Sequence, residues 1–141
     1  MPAYTYEMPE KATAIAVLIN VCAGLEAERV FGLIDTGSTQ SCISQELADK
    51  MNLASVKTAS FTGMNNEKIV ASLYRINISI DNTIPFESVE VGSFIKGDRF
   101  EDVIIGMDIL SKSDFAVTCK NGRMKFTIEY PPKHDFDFTK M

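Results

Sequence analysis

An apolar run that ends in an acid and a glycine is the feature that most constrains this chain. Residues 30–34 read Val-Phe-Gly-Leu-Ile, and Asp35, Thr36 and Gly37 follow directly. Asp and Gly are common in ordinary β-turns, where Asp can hydrogen-bond its own backbone and Gly supplies positive φ. A buried strand before the turn would hold the carboxylate rigidly at a strand end. We therefore interpret Asp35 as half of a catalytic pair of acids.

Two further segments accompany this turn. Asp35-Thr-Gly-Ser is followed by Ile43-Ser44 and a helix-forming stretch at residues 45–52, and Asp102-Val-Ile-Ile-Gly-Met-Asp-Ile-Leu110 comes about seventy residues later. In this order the motifs resemble those of the retropepsin-like aspartic proteases, over roughly residues 14–128. The resemblance implies an all-β fold. It would be a closed acid-protease-type β-barrel with a flap hairpin and one or two short helices, assembled as a homodimer.

The resemblance also implies a role for each residue of the turn. Asp35 of two subunits would bind and deprotonate a water molecule, and their shared proton would pass to the scissile carbonyl oxygen. Thr36 would hydrogen-bond across the dimer interface. Gly37 would let the backbone approach the carboxylates, and its N–H would hold an ionised oxygen. Ser38 is hypothesised to donate to the outer carboxylate oxygen.

The chemistry itself argues for two copies of the chain. Aspartic catalysis needs two carboxylates so close that they cannot both ionise, so that one stays protonated while the other activates water. The 141 residues contain one Asp-Thr-Gly turn. Asp108 lies outside any such turn and is predicted to be a helix cap or a structural polar partner. A two-fold axis would bring Asp35 of each subunit together.

A second hairpin resembles the family's flap by its position. Residues 59–72 read as two strand-like pieces around a turn that contains Gly63, Met64, Asn65 and Asn66. A flap opens for substrate and closes over it, so its tip needs small or turn-tolerant residues. These four residues are predicted to contact substrate. A plain surface hairpin is the alternative.

Three functions are compatible with these motifs. The first is an aspartic endopeptidase that cleaves extended peptide segments. The second is a noncatalytic peptide-binding module with the same barrel, and the third is a monomeric barrel in which Asp35 is only a turn residue. The intact Asp35-Thr-Gly-Ser sequence favours the endopeptidase.

The chain is predicted to form one domain at residues 12–130, between a polar, proline-containing N-terminal arm at 1–11 and a C-terminal tail at 131–141. Ser44 is predicted to cap the helix that follows it. Strands are predicted at residues 14–21, 28–34, 73–80 and 84–91, with a loop at 92–100 and a hairpin around Asn121-Gly122.

Composition excludes several other functions. A net charge of −5 without a basic patch argues against a nucleic-acid partner. The only histidine, His134, lies in the tail and is predicted to be solvated, whereas Ser-His and Cys-His hydrolases need a positioned imidazole. No His-Glu-x-x-His motif is present. We predict no metal and no cofactor, with a second copy and a peptide or protein substrate as partners.

The location is predicted to be cytoplasmic, without a membrane partner. Residues 12–25 are apolar but too short to span a bilayer, and the flank before them lacks the net positive charge of a secretory signal. Cys22, Cys42 and Cys119 are odd in number and lack paired spacing. They are predicted to be buried free thiols in a reducing compartment.

Overall fold

Strands dominate the computed structural model, which describes residues 2–62 and 65–141. That part of the chain contains ten strands, two short α-helices and single 3₁₀ turns at Lys120–Gly122 and Phe138–Lys140. The elements in order are β1 (Ala3–Glu7), β2 (Ala16–Ala23), β3 (Glu26–Ile34), β4 (Cys42–Ser44), α1 (Gln45–Lys50), β5 (Lys57–Thr62), β6 (Lys68–Ile80), β7 (Ile84–Phe94), β8 (Val103–Ile105), α2 (Met107–Leu110), β9 (Asp114–Thr118) and β10 (Lys125–Glu129).

Six of the strands close into a barrel. They follow the order β2-β3-β8-β4-β7-β6, and β6 returns to β2 through pairs that run from Ile19↔Ile80 to Cys22↔Asn77. The β3–β8 and β4–β7 pairings are parallel, and the other pairings of the barrel are antiparallel. Closure leaves these strands without a free edge. The predicted all-β barrel with short helices is therefore confirmed.

The core follows from alternation along the strands. In β6, Tyr74, Ile76 and Ile78 are buried, whereas Arg75 and Asn77 between them are exposed. Successive side chains of a strand point to opposite faces, so one face of β6 packs inside the barrel. Most of the largest fully buried side chains are isoleucines, and the β-branched shape suits a pleated, packed surface.

The helix after β4 begins where the sequence predicts. The hydroxyl of Ser44 accepts the N–H of Leu47 at 3.0 Å, which is the N-cap contact. Leu47 and Ala48 of α1 are buried, and so is its C-cap residue Met51. The helix ends at Lys50, two residues before the predicted end at 52.

Several further segment boundaries differ from the prediction: β2 spans residues 16–23 instead of 14–21, and β3 begins at 26 instead of 28. Strand β7 continues through Gly92 to Phe94, because parallel pairing with β4 extends it beyond the predicted end at 91. The β9–β10 hairpin is present, but a 3₁₀ turn lengthens its connection, so the strands do not flank Asn121-Gly122 directly. Both of those residues have positive φ, as their sequence predicts for a turn.

The N-terminal arm is not free of secondary structure. Strand β1 pairs antiparallel with β10 from Ala3↔Glu129 to Glu7↔Lys125, and the second sheet has the order β1-β10-β9. The sequence of the arm lacks a long apolar alternation, and its strand depends on a partner that lies more than a hundred residues away. Residues of the arm and of the last strand of the domain therefore share one sheet.

The three thiols are free, but they differ in exposure. Cys22 and Cys42 are partly buried, whereas Cys119 is exposed in the β9–β10 connection. The prediction of burial is wrong for Cys119. Within residues 2–62 and 65–141, no helix has the length and apolar character needed to cross a membrane.

Two isoleucines of β6 test the burial pattern. Ile76→Ala should lower the free energy of unfolding by about 2–5 kcal/mol, because Ile76 is 2% exposed and its loss leaves a cavity. Ile69→Ala is the matched control, since Ile69 is 48% exposed in the same strand, and it should cost about 1 kcal/mol or less. Urea denaturation measures both. Equal losses would contradict the inward orientation of Ile76.

Candidate active site

The Asp35 turn is fixed to the barrel by its main chain. Strand β3 ends at Ile34, which pairs with Ile105 of β8, and the next N–H, that of Asp35, donates to the carbonyl of Ile105 at 2.9 Å. The N–H of Ser38 donates to the carbonyl of Asp35 at 3.2 Å and closes the turn. Asp35 thus lies at a strand end, as the sequence predicts.

One contact orients the Asp35 carboxylate. The N–H of Gly37 donates to Asp35 Oδ1 at 2.9 Å, which is the contact that the sequence predicts. A Cβ atom on Gly37 would lie 3.2 Å from the same oxygen, so glycine gives the carboxylate room at this position. Thr36 and Gly37 are exposed, and Asp35 is partly exposed. The carboxylate therefore lies at an accessible face of the turn.

The predicted contact of Ser38 is wrong within the single chain. Its hydroxyl donates to the carbonyl of Gln40 at 2.7 Å instead of to Asp35. Serine hydroxyls often bond backbone groups a few residues away, and this local acceptor is available without movement of the turn. Ser38 therefore supports the shape of the loop after Gly37.

A buried hydroxyl connects this loop to α2. Ser41 is fully buried; its Oγ donates to Asp108 Oδ1 at 2.7 Å and accepts the N–H of Gly106 at 3.0 Å. The N–H of Ser41 donates to Asp108 Oδ2 at 2.9 Å. We call these contacts among Ser41, Gly106 and Asp108 the Ser41–Asp108 bracket. They hold the start of α2 against the active-site turn.

The bracket decides between the two roles predicted for Asp108. Gly106 occupies the N-cap position of α2 and makes no side-chain cap bond, so Asp108 is not the N-cap. Asp108 is the polar partner of Ser41. The importance of Ser41 was missed, although a serine placed just before the apolar Cys42-Ile43 pair is a signal for a buried hydroxyl with a partner.

The hairpin predicted at residues 59–72 is present. Strands β5 and β6 pair from Lys57↔Leu73 to Thr62↔Lys68. Asn65 and Asn66 are exposed in the turn between them, and Asn66 has a φ of 57°, a conformation that asparagine tolerates. Gly63 and Met64 lie outside the described residues. The substrate contacts predicted for this turn remain a prediction.

Sequence comparison places this geometry in a family. Residues 23–112, which are 90 of the 141, match the model of the "gag-polyprotein putative aspartyl protease" family, and the match includes both the Asp35 turn and α2. The chain belongs to the retropepsin-like aspartic protease family. A search of the curated proteins finds no match to this retropepsin-like chain.

Two solved structures resemble this chain to different degrees. A retropepsin-like aspartic protease from Rickettsia conorii is 14% identical, with a TM-score of 0.56 over 90% of this chain and 94% of the other. The retroviral protease-like domain of Ddi1 from Leishmania major is 17% identical, with a TM-score of 0.45 over 82% of this chain and 94% of the other. At this identity the first likeness supports the retropepsin-like fold.

The bracket predicts an effect of Ser41→Ala. Loss of the hydroxyl leaves the buried Gly106 N–H without its partner and removes one of the two donors to Asp108 Oδ1, the other being the Ile109 N–H, which should cost about 1–3 kcal/mol of stability. Ser55→Ala is the control, because it removes one hydroxyl-to-carbonyl bond at an exposed site and should cost about 0.5 kcal/mol or less. Chemical denaturation compares the two. Indistinguishable midpoints would contradict the bracket.

Gly106→Ala tests how closely α2 meets the turn. A Cβ atom there would lie 2.7 Å from the carbonyl oxygen of Ser38 and 3.1 Å from the carbonyl carbon of Gln40, so backbone must move. The expected cost is about 1–3 kcal/mol or more. Gly24→Ala is the matched control, because its φ of 60° brings strain but no atom lies within 4 Å of its Cβ. If Gly106→Ala unfolded at the wild-type urea midpoint, the close approach would be refuted.

Proposed function

We propose that the protein is an aspartic endopeptidase whose active site forms from Asp35 of two subunits. The observation that carries this proposal is the Asp35 carboxylate itself. It lies at a strand end, is oriented by the Gly37 N–H and is connected by its own main chain to β8. Membership of an aspartic protease family supports the same chemistry.

The reaction would use the two carboxylates as one acid–base unit. The ionised carboxylate takes a proton from water, and the water oxygen attacks the carbonyl carbon of the scissile peptide bond. The protonated carboxylate gives its proton to the carbonyl oxygen. When the tetrahedral intermediate collapses, the C–N bond breaks and the leaving amine takes a proton from the pair. One hydroxyl of the intermediate returns a proton to the pair as the new carbonyl forms. Each cycle consumes one water molecule and restores the shared proton.

A homodimer would supply the second acid. The sequence has one Asp-Thr-Gly turn, and an isologous contact pairs identical residues across a two-fold axis. The exposure of Thr36 and Gly37 supports this arrangement, because a second subunit can then approach the tip of the turn. We propose that Thr36 hydrogen-bonds across the axis and sets the separation of the two carboxylates.

The substrate would be an extended peptide. Such a segment can pair through backbone hydrogen bonds with strand-like surfaces, while alternate side chains occupy pockets. The β5–β6 hairpin supplies a long, largely exposed two-stranded element for this purpose. Its turn, which contains Asn65 and Asn66, would close over the bound peptide and exclude water.

Cleavage of a mixed peptide library from about pH 4 to 8 tests the proposal. Asp35→Asn should lower kcat/KM by at least about 10²–10⁴-fold, the usual contribution of a positioned acid–base group. Asp98→Asn is the matched control, because it neutralises an exposed loop carboxylate and should leave activity unchanged. Wild-type specific activity should rise with protein concentration as dimers form.

Mixed dimers distinguish one active site shared by two subunits from two independent active sites, one in each subunit. When equal amounts of wild type and Asp35→Asn exchange subunits freely, about a quarter of the dimers carry two Asp35 residues. Activity should then fall to about half that of the same wild-type protein alone. Unchanged activity after proven exchange would contradict the shared pair. A folded dimer that binds peptides without cleaving them would favour the noncatalytic module.

A further inference from the structure

The C-terminal tail contacts the second sheet through an acidic side chain. The backbone N–H groups of Lys133 and His134 both donate to Asp114 Oδ2, each at 2.6 Å. Asp114 is the first residue of β9. Both hydrogen bonds stabilise the ionised Asp114 carboxylate and hold its pKa below the usual value, and the bond from Lys133 has the larger effect. The tail is thus anchored beside the edge of the sheet.

Three potential metal ligands meet at this anchor. Asp114, Glu129 and His134 each offer one ligand atom, and these atoms lie within 4.8 Å of one another. Glu129 is the direct cross-strand partner of Asp114 in the β9–β10 pairing. Like charges directly opposite each other destabilise a strand pair. The position therefore favours a cation between the two carboxylates.

One oxygen of this cluster lacks a proper partner. Glu129 Oε1 is shielded from solvent, and no donor in the described residues meets it with hydrogen-bond geometry. The ammonium of Lys133 and Nε2 of His134 lie 3.3 and 3.4 Å away. A shielded carboxylate oxygen without a well-placed donor is costly, and a bound cation would remove that cost.

The cluster also faces a concave space. Asp114, Glu129 and His134 line a cavity of about 360 Å³, together with apolar side chains that include Phe115 and Phe136. The cavity leaves room beside the cluster for a water molecule or another small ligand. Three protein ligands would leave the fourth tetrahedral position of a zinc ion to a water molecule, an arrangement that catalytic zinc sites use.

We propose that Asp114, Glu129 and His134 bind a zinc ion that fastens the C-terminal tail to the β1-β10-β9 sheet. One imidazole and two carboxylates suit a divalent transition metal, whereas calcium and magnesium prefer oxygen ligands alone. The 3.4 Å between His134 Nε2 and Glu129 Oε1 fits a shared ion. In an ideal tetrahedral zinc site, the usual zinc–ligand distances place two ligand atoms about 3.3 Å from each other.

Neighbouring groups support this ligand set. The two backbone N–H bonds orient the Asp114 carboxylate, and the ring of Phe136 stacks on that of His134 with centroids 5.4 Å apart and planes 8° apart. Contacts outside the ligand set hold metal ligands in their binding orientation. His134 is the exposed member of the three, so rotation of its side chain can shorten the distances within the cluster while the two N–H bonds keep the Asp114 carboxylate in place.

Lys133 is the competitor of the proposed ion. Its ammonium lies near the same Glu129 oxygen that would bind zinc, so the metal must displace it. Removal of this positive charge should therefore tighten zinc binding. An ion-pair cluster without a metal site predicts no gain in zinc affinity when Lys133 is replaced.

Zinc titration of the whole chain tests the site. The background is Cys119→Ser, which removes the exposed thiol as an alternative zinc ligand. The ring protons of His134 give an unambiguous NMR signal, because the sequence has one histidine. They should shift and saturate at one zinc per chain, while magnesium should leave them unchanged. Calorimetry gives the affinity.

Variants then assign the ligands. His134→Gln and Glu129→Gln should each weaken zinc binding by at least about 10–100-fold, the loss typical of even an indirect metal contact. Lys133→Met should strengthen it, and Glu87→Gln, at an exposed site in β7, is the matched control that should not change it. Circular dichroism and thermal unfolding confirm that each variant is folded.

Three results would overturn the proposal. They are the absence of saturation by about 0.1 mM zinc, equal affinity in wild type and both ligand variants, and weaker binding in Lys133→Met. The titration measures zinc binding and NMR shifts, neither of which needs protease activity. It can therefore be repeated in the Asp35→Asn variant, and its result does not depend on whether the protease proposal holds.

Discussion

A single buried hydroxyl connects the two parts of the candidate active site. Ser41 follows the Asp35 turn in the chain, and Asp108 lies in a helix 67 residues further along the sequence, yet two hydrogen bonds join them directly. The same hydroxyl accepts the Gly106 N–H at the start of that helix. Because the buried Ser41 hydroxyl and the Gly106 N–H both have partners in this bracket, the cost of burying these polar groups is offset.

The bracket acts together with the parallel pairing of β3 and β8. That pairing places Asp35 beside Ile105, and the carbonyl of Ser38 accepts the N–H of Met107 at 2.8 Å. The turn is therefore held on both sides by the segment that leads into α2. Catalysis depends on carboxylates held within a fraction of an ångström, and a turn fixed at both ends meets that need better than a free loop.

Local patterns predicted much of this structure. The apolar run into Asp35, the alternation along β6 and the Ser44 cap all depend on residues close in sequence. The features that were missed have two causes. The Ser38 hydroxyl has a nearer acceptor at Gln40 than the predicted carboxylate. The other missed features depend on distant partners: β1 exists because β10 pairs with it, and the tail returns to Asp114 of the second sheet. Sequence spacing alone cannot specify such contacts.

The pairing of β1 with β10 also bears on how the protein folds. Ala3 and Glu129 are cross-strand partners although 125 residues lie between them in the sequence. Contacts of such long range raise the entropy of loop closure and slow folding. During synthesis on the ribosome, β1 emerges before β10, so their pairing cannot form until β10 has emerged. The six-stranded barrel closes without β1, so we expect it to form before the second sheet assembles onto it.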